Sequence, residues 1–339
     1  MTTKASKNGR ILYLDLIRSV ACVMIIIMHS PMEGTGSYLQ NISGLFTAPG
    51  VGLFFMVSGA LLLPVKEEGW QSVRHRLGKV LWPTLFWTLF YIAANVMTGR
   101  CSLDSIPKQL ISIPFSTQGH GVLWFMYTLC GLYLLAPVIS PWLRMASKRD
   151  VEILLGLWGV TLLFPILRLF LLVNDTNTGT FFYFSGFAGY FVLGYYLRRF
   201  SPKLDRWALL LLMLIPVGAS VGCKLGRLEV NFYDLFWYLS IFVVMMAVAW
   251  FHVLRAMALH LNGESRFVRL LTLFSNCSFG IYLMHIFVLR YCLWGFMPGG
   301  GVQILTSVAI TIVVCFAITY IVSFLPFASY IIGYQKKKS

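Results

Sequence analysis

The sequence is poor in charge, and poorest in negative charge. Asp, Glu, Lys and Arg together make up 12% of its 339 residues, against about a quarter in soluble domains. Only 12 of them are acidic, against 27 basic. A chain so short of charge cannot cover a water-facing surface, which excludes a soluble globular protein. Other familiar features are missing too. There is no Walker loop, GxGxxG turn, CxxC pair, metal-ligand spacing or internal repeat. That removes the phosphate-cradle, dinucleotide, redox and zinc readings. The seven cysteines (Cys22, Cys101, Cys130, Cys223, Cys277, Cys292 and Cys315) lie mostly within apolar stretches, where free Cys packs as a small hydrophobe. Only Cys101 and Cys223 fall near outer loops, leaving that one disulfide to consider. No basic run is interleaved with aromatics on a soluble segment, so the net charge of +15 is not a nucleic-acid footprint.

Apolar residues fill the space. They form 58% of the chain, and the mean hydropathy is +0.77. Ten stretches are candidate membrane spans: 11–30, 49–64, 80–98, 121–141, 151–173, 181–197, 207–222, 233–254, 270–294 and 302–325. The second and sixth are the shortest. The expected fold is an all-α integral membrane protein, a single bundle of about ten transmembrane helices. It is read as one domain over 1–339, with short basic tails at 1–10 and 334–339. The first stretch carries Asp15 and Arg18 and no cleavage pattern follows it, so it reads as a span rather than a removed signal peptide. Charge placement sets the orientation. Arg100, Lys108, Lys224 and Arg227 fall in one set of connecting segments, and Arg18, Arg168 and Arg290 fall within spans. All other lysines and arginines fall on the opposite side or in the tails, which puts both termini in the cytoplasm.

The first span is the most informative. Arginine and histidine are costly in hydrocarbon and seldom persist there without a task. Arg18 and His29 are eleven residues apart, which on a helix leaves them within about 20° of each other and about 16 Å apart along the axis. Asp15 lies one turn before Arg18. The helix therefore has one polar side, of the kind that faces a bundle interior or a water-filled cavity.

Four further segments carry candidate chemistry. Gly52-Leu-Phe-Phe-Met-Val-Ser58-Gly59 reads either as a close-packing face or as part of a site through Ser58. The inner loop from Gln71 to Pro83 holds Arg74, Arg76 and Lys79. These are either a positive-inside anchor or an anion site suited to phosphate. His120 lies at the outer boundary near the level of His29, with Trp124 just beyond it and Tyr133 nine residues further, read as returning to the Trp124 side. Trp and Tyr there are also ordinary belt residues. Finally, Ser278, Tyr282 and His285 recur at i, i+4 and i+7, which shares one helix face. His285 is either a satisfied core histidine or, with His29, part of a site.

Together these segments resemble the membrane acyltransferase family 3. The likeness rests on Asp-x-x-Arg…His in the first span, Leu-Phe-Phe-x-x-Ser-Gly in the second and the basic segment ending in Trp-Pro. Leu-Trp-Phe…Tyr…Pro in the fourth span and Ser-x-Gly-Ile-Tyr-Leu-x-His in the ninth complete it. It runs from residue 11 to about 325 and is strongest toward the stand-alone branch that includes the enterobacterial common antigen O-acetyltransferase. The resemblance implies an O-acyltransferase in the bacterial cytoplasmic (inner) membrane. Such enzymes move an acyl group, usually acetyl, from cytoplasmic acyl-CoA to a sugar hydroxyl of a surface or lipid-linked glycan. Acyl-CoA (acetyl-CoA) is then a donor substrate, with no permanently bound cofactor. The family's essential Arg and His fall on Arg18 and His29. Its basic Arg-x-x-Arg element falls on Arg76 and Lys79, where Lys keeps the charge but loses the bidentate fork.

On this reading Arg74, Arg76 and Lys79 take the CoA phosphates, and Arg18, steadied by Asp15, orients the arm. His29 serves as general base, with a covalent acyl-histidine as the open variant. Tyr282 and His285 orient the acceptor or stabilise the oxyanion, and Trp124 stacks on a sugar. The alternative class is a transporter or flippase for a polar solute or glycolipid, in which polar stripes and broken helices are equally natural.

Overall fold

A computed structural model of the protein describes residues 11–30, 37–65, 69–113, 115, 123–171, 179–226, 230, 232–293 and 301–336. Among these residues the chain is helical throughout, with no β-strand. The α-helices are α1 (Leu12–His29), α2 (Ser37–Thr47), α3 (Pro49–Leu62), α4 (Gly69–Met97), α5 (Ile106–Ser112), α6 (Trp124–Met145), α7 (Lys148–Thr161) and α8 (Phe164–Leu171). They continue as α9 (Ala188–Arg199), α10 (Arg206–Leu225), α11 (Phe232–Leu235), α12 (Ile241–Leu259), α13 (Arg266–Phe287), α14 (Gly301–Val322) and α15 (Ala328–Ile332). A π-helical turn, Val288–Leu293, prolongs α13.

Nine stretches of the described residues are long and apolar enough to cross a membrane, and the protein is a multi-pass membrane protein. The short second candidate is completed by the residues before it, giving Asn41–Leu62. The sixth candidate, 181–197, is not among the nine. It contains α9, whose 12 residues span only about 18 Å, well short of a hydrocarbon core of about 30 Å. All seven cysteines are free thiols, Cys101 and Cys223 included.

The chain forms two compact units. The first comprises residues 1–63, 142–275 and 296–309. Its core is the contact of α3 with α9. A Cβ on Gly59 would collide with the Phe191 carbonyl, and one on Gly194 with the Met56 carbonyl. Gly52 likewise lies against the Tyr190 ring, and Gly189 against Trp158. Small residues at helix crossings let backbones approach in lipid, where dispersion replaces the hydrophobic effect as the driving force. The Tyr190 hydroxyl donates to the Tyr238 carbonyl at 2.6 Å, so even this fully buried phenol is satisfied. α1 packs on α3 and α12, with Gly50 of α3 close to Met24 and Ala21 of α1. Arginines close the helix ends. Arg198 donates to the Ala60 carbonyl of α3. Arg255 donates to the Leu197 carbonyl of α9 at 3.2 Å and to the Ser201 hydroxyl at 2.9 Å. Unpaired carbonyls at helix C-termini are natural partners for cations.

The second unit comprises residues 64–141, 276–295 and 310–339. Here α15 packs on α4. Trp87 donates through its indole N–H to the Ile331 carbonyl at 3.0 Å. Tyr91 donates to the Leu283 carbonyl of α13 at 2.9 Å. Gly333, in the left-handed region at φ 66°, lies against the Lys79 carbonyl and the Phe279 ring, where a side chain would not fit. One pattern runs along α14 and the residue after it, through parts of both units: Gln303, Ser307, Thr311, Cys315, Thr319 and Ser323 recur every fourth residue, and all six are buried.

The glycine contacts predict stabilities of opposite sign. Gly194→Ala drives a methyl group into a backbone carbonyl, and overpacking of this kind costs about 1–3 kcal/mol or more. Gly218→Ala, on α10 with open space around it, should gain up to about 1 kcal/mol from helix propensity. Thermal unfolding of the two purified variants checks this: the melting temperature should fall for the first and hold or rise for the second.

Candidate active site

In the first unit, α1 is one uninterrupted helix from Leu12 to His29. Asp15, Arg18 and His29 therefore keep the spacing expected of them. Asp15 is 6% exposed. Its Oδ1 accepts a hydrogen bond from the Ser275 hydroxyl at 2.7 Å, and its backbone carbonyl accepts one from Ser19 at 2.9 Å. A buried carboxylate is tolerable only when hydrogen-bonded, and Ser275 of α13 supplies that bond. Ser275 stands out little in the sequence. Its only signal is a polar side chain in an apolar span, three residues before Ser278.

Arg18 is half-buried on α1. His29, also half-buried, stands in the last turn. Its Nδ1 lies 2.9 Å from the Ile25 carbonyl. A carbonyl can only accept, so Nδ1 carries the proton and the lone pair of the neutral ring is on Nε2. Ser30 donates to the Ile26 carbonyl at 2.8 Å. Ser30 thereby satisfies one of the carbonyls that a helix end leaves unpaired. Next to His29 along the chain, the Met28 sulfur accepts from the Tyr238 hydroxyl at 3.7 Å. Ser58 is half-buried on α3, one residue before the Gly59 contact.

The second unit holds the other candidates. The segment expected as a loop, Gln71 to Pro83, is helical and forms the first half of α4. Arg74, Arg76 and Lys79 are all exposed. Helical geometry separates them: Arg76 and Lys79 lie about 60° apart, whereas Arg74 is about 140° or more from either. The three cations thus form a pair and an outlier rather than one cluster. Trp124 opens α6 and Tyr133 follows in the same helix, both half-buried. Nine residues of helix turn by about 180°, so Tyr133 leaves α6 opposite Trp124 and not on its side. His120 lies outside the described residues.

Ser278, Tyr282 and His285 share one face of α13, and all three are buried. The Tyr282 ring stands 5.3 Å from Phe125 of α6 and 5.3 Å from His285. His285 is fully buried, and its Nδ1 donates to the Tyr282 carbonyl. The unit thus brings Tyr282 and His285 together with Phe125, an aromatic residue that a sequence scan has no reason to single out from its neighbours.

A family model described as an acyltransferase domain matches residues 11–327. No curated protein and no solved structure matches the chain. The matched stretch takes in all of α1 to α14, and with them every described site residue named above. It makes the protein a transferase that needs an acyl donor, in place of the transporter alternative. With nine apolar spans among the described residues and a match over nearly its whole length, the chain belongs to the acyltransferase 3 family.

Proposed function

We propose that the protein is an O-acyltransferase of the bacterial cytoplasmic membrane, with both termini in the cytoplasm and its whole length forming one catalytic domain. It takes an acyl group, most simply acetyl, from cytoplasmic acyl-CoA and delivers it to a sugar hydroxyl of a surface or lipid-linked glycan, as in the branch that acetylates enterobacterial common antigen. The observation that carries this reading is α1. One unbroken helix bears an arginine and a histidine on one side about 16 Å apart, and the histidine's tautomer leaves Nε2 as its basic atom.

That separation is too long for both side chains to touch one reacting carbonyl. It suits instead a long, thin donor, with Arg18 orienting a polar part of the pantetheine arm and His29 meeting the acceptor. Nε2 of His29 takes the proton of the sugar hydroxyl as its oxygen attacks the thioester carbonyl. The C–S bond then breaks, and the thiolate of CoA recovers the proton from the imidazolium. The products are the acylated sugar, free CoA thiol and neutral His29. Asp15, held by Ser275, steadies the polar side of α1 near Arg18. Arg76 and Lys79, exposed on one side of α4, take the phosphates of CoA. Arg74 projects elsewhere and contributes charge without contact. Tyr282, His285, Trp124, Tyr133, His120 and Ser58 are supporting groups for the acceptor.

His29→Ala should lower acyl transfer by about 10²–10⁴-fold, the usual worth of a general base, with the protein level in membranes unchanged. Transfer of label from acetyl-CoA to cell-surface glycan measures this, and a wild-type rate in the variant would refute the role. A second comparison separates the cations of α4. Arg76→Ala should raise the KM for acyl-CoA severalfold, and Arg74→Ala should change it little. An unchanged KM in both variants would return the segment to a plain positive-inside anchor, and equal rises would place Arg74 at the phosphates as well.

A further inference from the structure

At the end of α4 opposite Arg76 and Lys79, the second unit holds a second arginine site, one that the acyl-transfer scheme does not use. α4 ends in a glycine cap. Gly99 takes a left-handed conformation at φ 69° and donates to the Val96 carbonyl at 3.1 Å, while the N–H of Arg100 donates to the Asn95 carbonyl at 2.8 Å. This pair of bonds is the Schellman motif, which fixes the direction of the chain after the helix. The Arg100 guanidinium lies over the Tyr291 ring, 4.3 Å from its centre. The Tyr291 hydroxyl donates to the side-chain oxygen of Asn95, itself buried. One asparagine therefore holds both the backbone of Arg100 and the ring beneath its side chain.

Tyr291 belongs to the π-helical turn Val288–Leu293, a form that recurs at functional sites. Arg290 precedes it and is exposed, as is Arg100. Among the described residues no carboxylate pairs with either arginine. Both side chains stay charged at any physiological pH. A flat guanidinium with its donors unmatched and its plane already set suits a phosphate. Apolar side chains follow directly: Leu103 and Ile111 are strongly exposed on the short helical segment after the cap, and Phe115 just beyond it. Such a segment beside a membrane boundary suits contact with lipid.

We propose that Arg100, set by Tyr291 and Asn95, binds the phosphate through which a glycan acceptor is anchored to its lipid. Naming the ligand as the acceptor rests on the acyltransferase reading above. The phosphate contact itself does not.

The test uses the purified full-length protein and three probes: farnesyl phosphate as a short lipid phosphate, phosphatidylglycerol vesicles, and inorganic phosphate. Acyl-CoA binding and turnover are measured alongside. Arg100→Gln should weaken farnesyl phosphate binding about tenfold or more, as expected for loss of a charged hydrogen bond. Arg100→Lys should lose less. Tyr291→Leu, which keeps the charge but removes its platform, should also weaken binding. All three should bind acyl-CoA as the wild type does, which also reports that they fold. Equal affinity of wild type and Arg100→Gln for farnesyl phosphate would overturn the site. Equal competition by phosphatidylglycerol would reduce it to ordinary headgroup contact, and equal competition by inorganic phosphate to a simple anion site; either overturns the proposal. If Arg100-dependent binding is present but acyl-CoA is neither bound nor turned over, the enzyme reading falls and the phosphate site stands.

Discussion

Where α3 crosses α9, Gly59 faces the Phe191 carbonyl and Gly194 faces the Met56 carbonyl, so each helix presents bare backbone to the other. Lipid chains are as apolar as leucine, and helices in a bilayer gain little by hiding apolar side chains from them. Close backbone contact supplies the attraction instead. This matters most for α9, which is too short to cross a membrane and is buried over residues 189–195. Protein, rather than lipid, must satisfy it on most sides. α1 is placed by α3, through Gly50 against Met24 and Ala21. The polar side of α1 is thus positioned by glycines that carry no chemistry themselves.

Positive charge is used sparingly and in two ways. Some cations tie helix ends together. Arg198 on Ala60 and Arg255 on Leu197 fasten the carbonyl ends of α3 and α9. Lys336 reaches the Tyr320 hydroxyl at 3.1 Å and lies over the rings of Tyr320 and Phe324. These side chains are already engaged. Others, Arg76 and Lys79 at one end of α4 and Arg100 at the other, are exposed. The number of cations alone does not account for this division of labour.

The helical class, most spans and the polar side of α1 were legible because hydropathy and the 3.6-residue period act locally. Gly59 packs against Phe191, a partner more than a hundred residues away that no local pattern points to. The same holds for Asp15 and Ser275. The basic segment reads as a loop because its charges precede the apolar stretch that begins at residue 80; it is instead the first part of α4, with Pro83 inside the helix, as prolines in membrane helices often are when neighbours satisfy the freed backbone groups. The four-residue polar repeat of α14 was readable in principle. Its helix is otherwise so apolar that average hydropathy conceals it.

The second unit draws its residues from three separated stretches, and this has a consequence for biogenesis. Tyr91 is made 192 residues before its partner Leu283, and Trp87 is made 244 residues before Ile331. At ribosomal speeds of about 5–20 residues per second, α4 waits roughly ten seconds to the better part of a minute for those carbonyls. During that time its buried Thr84, Thr88 and Asn95 lack the neighbours that later enclose them. Thr84 and Thr88 bridge the interval by donating to the carbonyls of Val80 and Thr84 within their own helix. These two hydrogen bonds need no partner outside the helix and can form before the rest of the chain arrives.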